Sequence, residues 1–158
     1  MKSIVLAAAG FLLLLSAWSA VAENTNPNVR AAMTVYAHIV ETEAIIDMCR
    51  RMAVADATPY DKVYKKYQGE IRDVVVRIGY LVGQESRHAG VDKQSLFKSL
   101  DTMIDQAVDT SEQMARADPE RFAFECKTLP NAMIEQTKLF EPLTMRFPDE
   151  MKIIQNRL

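Results

Sequence analysis

Two cysteines are the residues of this sequence best suited to carry chemistry. Cys49 lies in "AIIDMCRRM" (residues 44 to 52) and Cys126 in "RFAFECKTLP" (residues 121 to 130). A cysteine can act as a nucleophile, ligate a metal or form a disulfide. Neither cysteine belongs to a C-x-x-C motif, so redox catalysis and c-type haem attachment both lack their motifs. The positive charges of Arg50 and Arg51 could lower the pKa of the Cys49 thiol. On a helix, however, residues adjacent in sequence to Cys49 point away from the face that Cys49 occupies.

Both cysteines occupy inward positions of predicted helices. Cys49 continues a series with steps of four and three residues, formed by Val35, Ile39, Thr42 and Ile46, while Cys126 lies between Phe122 and Leu129. Each cysteine is six or seven residues from the same end of the predicted bundle, a depth of roughly 10 Å. We therefore predict a Cys49–Cys126 disulfide, formed during export through an oxidising compartment.

Two pairs of residues have the spacing of metal ligands. Glu85 and His88, in "QESRHAG", form the Glu-x-x-His pair that di-iron bundles use twice, together with two more glutamates. The second copy is absent, so Glu85 and His88 are weak candidates, and a solvated pair at a helix end is the favoured alternative. His38 and Glu41 offer the reversed spacing without further ligands nearby other than Glu43. We expect neither a metal nor another cofactor.

Two surfaces are candidates for binding a partner. The corner "QESRHAGVDK" presents charged side chains, which we call the corner residues: Glu85, Arg87, His88 and Lys93. The other surface lies on the first helix, where the apolar residues of the front half fall on a different face from those of the back half. We hypothesise that the front half covers a partner or a second subunit, so an oligomer is possible, through Val29, Met33, Tyr36 and Val40.

The first 22 residues have the pattern of a signal peptide. Lys2 precedes an apolar run from Ile4 to Leu15, and Ala20-Val21-Ala22 supplies the small residues of a cleavage site. The run is shorter than the roughly 20 residues of a membrane-spanning helix. We expect cleavage after Ala22, a periplasmic or secreted mature protein, and no stable membrane span after cleavage. Residues 23 to 158 are then enough for one domain with its own core.

The mature chain has the periodicity of helices and no strand-like alternation. The first helix is predicted from about Pro27 to Ala55, with Asn26 or Asn28 as its cap. The second has Thr58 as N-cap and Pro59 as first residue. It carries a heptad seam, typical of a helix packed nearly parallel or antiparallel to its neighbours, formed by Tyr60, Tyr64, Tyr67, Ile71, Val74, Ile78 and Leu81.

Two more long helices and a short one complete the prediction. The third, capped by Asp92, has an inward series of Phe97, Leu100, Ile104, Ala107, Ser111 and Met114. The fourth, capped by Asp118, continues through Phe122, Cys126, Leu129, Met133, Thr137 and Phe140, and Pro130 predicts a kink or a break near Thr128. A short fifth helix buries Met151, Ile154 and Leu158. Because the corners are short, we predict an all-α, antiparallel up-down four-helix bundle with an extra C-terminal helix, stapled by one disulfide.

The composition limits the classes of function. The formal net charge of −2 argues against nucleic acid as a partner. No phosphate loop, G-x-S-x-G elbow or H-E-x-x-H motif is present, so we expect no enzymatic activity. The prediction is an exported, non-enzymatic protein with a protein-binding or envelope-associated role, its partner being another envelope protein. By its general profile the chain is similar to small exported helical proteins that protect bacteria against periplasmic toxins. That resemblance implies one alternative function, an immunity-type periplasmic protein that neutralises a toxin. The other alternative is a helical bundle that carries a metal or a cofactor.

Overall fold

Every secondary-structure element among the described residues is an α-helix. The computed structural model describes residues 26 to 52, 56 to 89, 93 to 134 and 142 to 156. The helices are α1 (Pro27–Met52), α2 (Thr58–Ala89), α3 (Lys93–Ala117), α4 (Pro119–Ile134), α5 (Leu143–Arg146) and α6 (Pro148–Gln155). The all-α prediction is therefore confirmed. The signal peptide, the cap Asp92, and the core positions Thr137, Phe140 and Leu158 lie outside the described residues, as do the side chains of Phe97 and Leu100. None of these six helices is long and apolar enough to cross a membrane.

Helix α1 lies at the centre of the fold. It contacts α2, α3, α4 and α6, and its buried residues therefore cover several faces instead of one stripe. The inward series predicted from the sequence is buried in full: Val35, Ile39, Thr42, Ile46 and Cys49. The change of apolar face along α1 follows from this central position, because its two halves serve different neighbours.

Two polar contacts fix α1 and α2 as antiparallel neighbours. At one end, Asn28 Nδ2 donates to Glu85 Oε1 over 2.7 Å. At the other end, Arg50 Nε lies 2.6 Å from Asp61 Oδ1. Between them, the heptad seam of α2 faces the core as predicted, with Tyr64 and Val74 partly buried and the other five residues buried.

The residues that begin the helices are only partly those predicted. Asn26 caps α1, since its carbonyl accepts from Arg30 N and its Oδ1 accepts from Asn28 N. Asp118 caps α4 as predicted, with Oδ1 accepting from Arg121 N at 3.0 Å. Helix α2 starts one residue earlier than expected, because the Ala57 carbonyl accepts the first helical bond, from Asp61 N. Thr58 is thus the first residue of the helix and not its cap.

The inward face of α3 differs from the predicted one. Ala107 and Ser111 are buried as expected, but Ile104 and Met114 are 39% and 41% exposed. Met103 is buried instead, in a cluster with Val29 and Met33 of α1. Successive steps of four residues along α3 place Met103, Ala107 and Ser111 on one buried face, and this turns Ile104 and Met114 outward.

Helix α4 continues through Pro130 without the predicted break. Proline has no N–H, so the carbonyl four residues earlier, on Cys126, loses its helical donor. The hydroxyl of Tyr60 on α2 donates to that carbonyl. The α4 residues Phe122, Cys126, Leu129 and Met133 are all buried, as predicted. A side chain of a neighbouring helix thus replaces the hydrogen bond that the proline removes.

The C-terminal helix α6 packs against the central helix. Met151 and Ile154 are buried, as predicted, and Pro148 begins the helix with Asp149 and Glu150 in its first turn. Helix α1 contacts α6 more extensively than it contacts α4. In a regular four-helix bundle, α1 would contact α4 more extensively than it contacts the short helix α6. The up-down arrangement of the four long helices therefore stays a prediction.

Candidate functional site

The two cysteines are joined in a disulfide. The Cα atoms of Cys49 and Cys126 are 5.2 Å apart, and the bond links residues separated by 77 positions. The predicted pairing is therefore confirmed. As both sulfurs are bonded to each other and both residues are buried, the chemistry of a free thiol does not apply to this pair.

A cavity of about 340 Å³ lies beside α1 and α2 and is bordered by α5, α6 and the end of α4. Most of its lining is apolar, from Val63, Ile71, Val74, Met133, Leu143 and Met151. The exposed side chains Lys66, Glu70, Thr144 and Gln155 border its opening. Three further polar residues lie deeper: His38 and Thr42 of α1 and Tyr67 of α2. A mainly apolar cavity with a few convergent polar groups is the usual composition of a ligand-binding site.

His38 is an uncharged imidazole in this cavity. Burial, reinforced by the positive charge of Arg146, lowers its pKa from 6.5 to about 4. Its ring lies against Phe147, with centroids 5.3 Å apart and planes tilted by 59°. The Nδ1 atom is enclosed and has no hydrogen-bond partner within the described residues. His38 therefore offers a neutral ring nitrogen at neutral pH.

Tyr67 contributes a second enclosed polar atom. Its side chain is 8% exposed, and its hydroxyl has no hydrogen-bond partner in the part of the chain that the structure describes. Burial raises the pKa of this phenol, and the Thr42 hydroxyl lowers it by a smaller amount. Thr42 is therefore close enough to affect the pKa of Tyr67, although the two hydroxyls do not have the geometry of a hydrogen bond. The Thr42 hydroxyl donates to the His38 carbonyl at 2.8 Å. Tyr67 remains protonated and able to donate.

The charged groups around the cavity come in opposite pairs. At the opening, Lys66 Nζ lies 3.7 Å from Glu70 Oε1. Near His38, Glu41 has a pKa that burial raises and that the charge of Arg146 partly lowers again. The pocket therefore has uncharged hydrogen-bonding groups inside and compensating charges around it.

The corner residues do not form one surface. Glu85 is only 6% exposed, and its carboxylate accepts from Asn26 Nδ2 at 2.5 Å and from Asn28 Nδ2 at 2.7 Å. Arg87 and His88 are exposed, with Arg87 Nε donating to the Gly83 carbonyl. Lys93 is the first residue of α3. Glu85 thus joins the start of α1 to the end of α2 and is unavailable to a partner at the surface.

The predicted interface on α1 is covered within the chain. Val29 and Met33 are buried against Met103 of α3, with Tyr36 partly buried beside them. Val40 is also buried. The apolar surface that we assigned to a partner or a second subunit is therefore used by intramolecular packing. The reason for proposing an interface at these four residues no longer holds.

No cluster of three or more potential metal ligands occurs among the described histidine, cysteine, aspartate and glutamate residues. Glu85 is buried at the end of α2 with two asparagine amides, whereas His88 is exposed. His38 has an aromatic ring against it and Glu41 partly buried on the same helix.

Sequence reasoning missed the cavity although it named parts of it. His38 and Thr42 are four residues apart on α1 and share a face, and Thr42 is a polar residue within an otherwise apolar inward series. Tyr67 is in the inward seam of α2. The sequence did contain a signal for the cavity: Thr42 and Tyr67 each place a hydroxyl at an inward position, and their helices α1 and α2 are adjacent. The lining from α5 and α6 could not be foreseen, because the position of the C-terminal segment depends on tertiary packing.

Comparisons with protein-family models, with curated proteins and with solved structures find no match for this chain.

Proposed function

We propose that this protein is an exported, non-enzymatic binding protein of the cell envelope, and that the cavity beside α1 and α2 is its binding site. The observation that carries the proposal is the composition of that cavity. Apolar side chains line most of it, and two enclosed polar atoms, His38 Nδ1 and Tyr67 Oη, have no partner within the described residues. A mainly apolar cavity with a few polar side chains in its lining is the usual composition of a binding site for a small molecule.

The disulfide supports the assignment to an exported protein. Structural disulfides persist in oxidising compartments such as the periplasm and are rare in the cytosol. Cys49 and Cys126 are paired and buried. Together with the signal-peptide pattern of residues 1 to 22, this pair favours an envelope or extracellular location.

The protonation states in the cavity support binding over catalysis. A general acid or base works best with a pKa near the operating pH. The pKa of His38 is about 4, and the pKa of Tyr67 is raised. At neutral pH both groups are therefore fixed in their uncharged forms, which suits recognition of a ligand and not proton transfer.

We also propose that α1 to α4 are arranged as an up-down bundle. The antiparallel contacts between α1 and α2 support this arrangement. In this arrangement, α5 and α6 cover one side of the bundle and thereby complete the cavity.

The experiment that tests the binding site is a titration with N-phenyl-1-naphthylamine, a neutral dye that fluoresces in apolar surroundings. The mature protein should enhance its fluorescence in a saturable manner with one site per chain. Val74→Phe should abolish most of the enhancement, because Val74 lines the cavity and the larger ring fills it. No enhancement, or equal enhancement in wild type and Val74→Phe, would contradict the proposal.

The same helix offers a matched control. Val76 lies two residues further along α2 and is 67% exposed. Val76→Phe adds the same volume and hydrophobicity on a solvent-facing position. This variant should bind the dye as the wild type does, and a loss equal to that in Val74→Phe would mean that the dye binds elsewhere on α2.

A further inference from the structure

We propose that the ligand of this cavity is a single-chain amphiphile, whose alkyl chain occupies the cavity and whose polar head stays at the opening in contact with water. The inference rests on the proposed binding function and adds the chemical class of the ligand. It is carried by the change from apolar to polar residues between the buried and the exposed parts of the lining, and by the paired charges at the opening.

The buried part of the lining suits a hydrocarbon chain. Val63, Ile71, Met133 and Met151 are all buried, and each borders the cavity with an aliphatic or thioether side chain. Such a lining offers few hydrogen bonds, so the affinity for a ligand comes mainly from removing apolar surface from water. The two methionines are flexible and can adapt to the conformations of a chain.

The polar residues deeper in the lining add no charge beside such a chain. The Thr42 hydroxyl is engaged with the His38 carbonyl, while Tyr67 Oη and His38 Nδ1 are enclosed by protein atoms. Burial lowers the pKa of His38 to about 4 and raises that of Tyr67, so both groups are uncharged at neutral pH. The enclosed part of the ligand therefore needs no polar group of its own.

The exposed part of the lining suits a hydrated head group. Apart from Pro142, its exposed residues are polar: Lys66, Glu70, Thr144 and Gln155. They can form hydrogen bonds with a head that remains in water. Because Lys66 Nζ lies 3.7 Å from Glu70 Oε1, the two charges oppose each other and favour neither sign of head group. The chain, and not the charge of the head, therefore determines the affinity.

The volume limits the length of the chain. Binding cavities for small molecules usually measure roughly 300 to 1,000 Å³. The cavity of about 340 Å³ is at the lower end of that range. It can enclose a chain of medium length, and any further methylene groups extend into water. Alkyl maltosides, which have an uncharged head and are soluble, are suitable probes.

The first test is displacement of bound N-phenyl-1-naphthylamine by hexyl, octyl, decyl and dodecyl maltoside, each below its critical micelle concentration. We expect the concentration that displaces half of the dye to fall about fourfold for each methylene that the cavity encloses, and to stop falling before dodecyl. No dependence on chain length, or a steady fall through dodecyl, would overturn the inference. Failure of the dye itself to bind in the cavity would instead overturn the proposed function.

The second test compares head groups on chains of eight carbons. Octanoate represents a free fatty acid and octanoyl lysophosphatidylcholine represents a monoacyl lipid. We expect both to displace the dye within about threefold of the concentration needed with octyl maltoside, as the small energies of exposed charges imply. A tenfold preference for one head group would overturn the proposal that the chain determines the affinity.

Two substitutions locate the head at the opening. Lys66→Gln leaves the charge of Glu70 unopposed, so octanoate should bind about threefold more weakly and octylammonium about threefold more tightly. Glu70→Gln should have the reverse effects. Lys62→Gln is the matched control, because Lys62 is exposed one turn away on α2 and is not among the described lining residues. Unchanged binding of both ions in both opening variants, or equal changes in Lys62→Gln, would overturn the inference.

Discussion

The hydroxyl of Tyr60 donates a hydrogen bond to the backbone carbonyl of Cys126. This carbonyl would receive the N–H of residue 130 in an ordinary helix, but residue 130 is a proline. The same residue, Cys126, is bonded through its sulfur to Cys49. Helices α1, α2 and α4 therefore meet at Cys126, one through a covalent bond and one through a hydrogen bond to the main chain.

Replacing Tyr60 by phenylalanine should destabilise the fold. The Cys126 carbonyl would be left buried without a donor, which costs about 1–3 kcal/mol. Tyr67→Phe removes a hydroxyl that has no partner in the described structure, so it should be neutral or stabilising in the absence of ligand. Urea unfolding followed by circular dichroism measures both variants. Equal losses of stability in the two would contradict the different roles of the two hydroxyls.

Pro130→Ala provides the control for the cause of that loss. Alanine restores the missing N–H, so the Cys126 carbonyl gains a helical donor. Tyr60→Phe should then cost less in the Pro130→Ala background than in the wild type, a coupling that a double-mutant cycle measures. Additive effects would mean that Tyr60 and Pro130 act independently.

Removing the disulfide should cost more than any single hydrogen bond. It closes a loop with a sequence separation of 77, for which the chain-entropy model gives up to about 4.5 kcal/mol. The double variant Cys49→Ser, Cys126→Ser should therefore unfold at a much lower urea concentration. Dithiothreitol should shift the wild type in the same way and leave the double variant unchanged. Two titratable thiols in unfolded, unreduced mature protein would contradict the assignment directly.

Glu85 should behave as a structural residue. Its carboxylate accepts hydrogen bonds from Asn26 and Asn28, and its side chain is buried. Glu85→Ala should lower the free energy of unfolding by about 2–3 kcal/mol, because bonds to a charged acceptor are stronger than average. Arg87→Ala, two residues away and exposed, should change it by no more than about 0.5 kcal/mol. A similar effect of both substitutions in thermal unfolding would contradict this account.

His38 should make the protein less stable as the pH falls from 6.5 to 4. Its pKa is about 4 in the folded state, against 6.5 in the unfolded state, so in this window the unfolded chain binds the proton more readily. The stability that the protein owes to an uncharged His38 is fully present above pH 6.5, decreases on acidification, and is lost below pH 4. The full change is on the order of 3 kcal/mol.

His38→Gln is the reference for this pH dependence. Glu41 and Glu43 have pKa values that burial raises, and such groups contribute in the opposite direction, adding stability as the pH falls. Both remain in the variant, so the difference between wild type and His38→Gln isolates the histidine. Urea unfolding at intervals from pH 4 to 7 should show a flatter profile in the variant. Parallel profiles would show that His38 is protonated equally in both states.

The sequence predicts local features of this fold better than it predicts contacts between helices. The inward series of α1, the seam of α2 and the cap at Asp118 follow from spacing and residue type, and the disulfide follows from two such series at one depth. The inward face of α3 cannot be predicted in this way, because Met103 and Ile104 are adjacent in sequence and both are apolar. Only the packing against Val29 and Met33 decides between them. Glu85 shows the same limit, since its burial depends on two asparagines 57 and 59 residues away.

The candidate site depends on tertiary structure even more strongly. His38, Thr42 and Tyr67 could be placed on inward faces from the sequence, but the cavity also needs Leu143 and Met151 from the C-terminal segment. The pKa of His38 is set by burial and by Arg146, more than 100 residues away. No local pattern contains that information.

The most direct test of the account is to map the amide chemical shifts of the ¹⁵N-labelled mature protein as N-phenyl-1-naphthylamine is added. We predict saturable changes that are largest for residues lining the cavity, above all Thr42, Tyr67 and Val74, and that reach an endpoint at one dye per chain. Changes centred on the exposed apolar residues Val76, Tyr80 and Phe124, or no saturable change at all, would contradict the assignment of this cavity as the binding site.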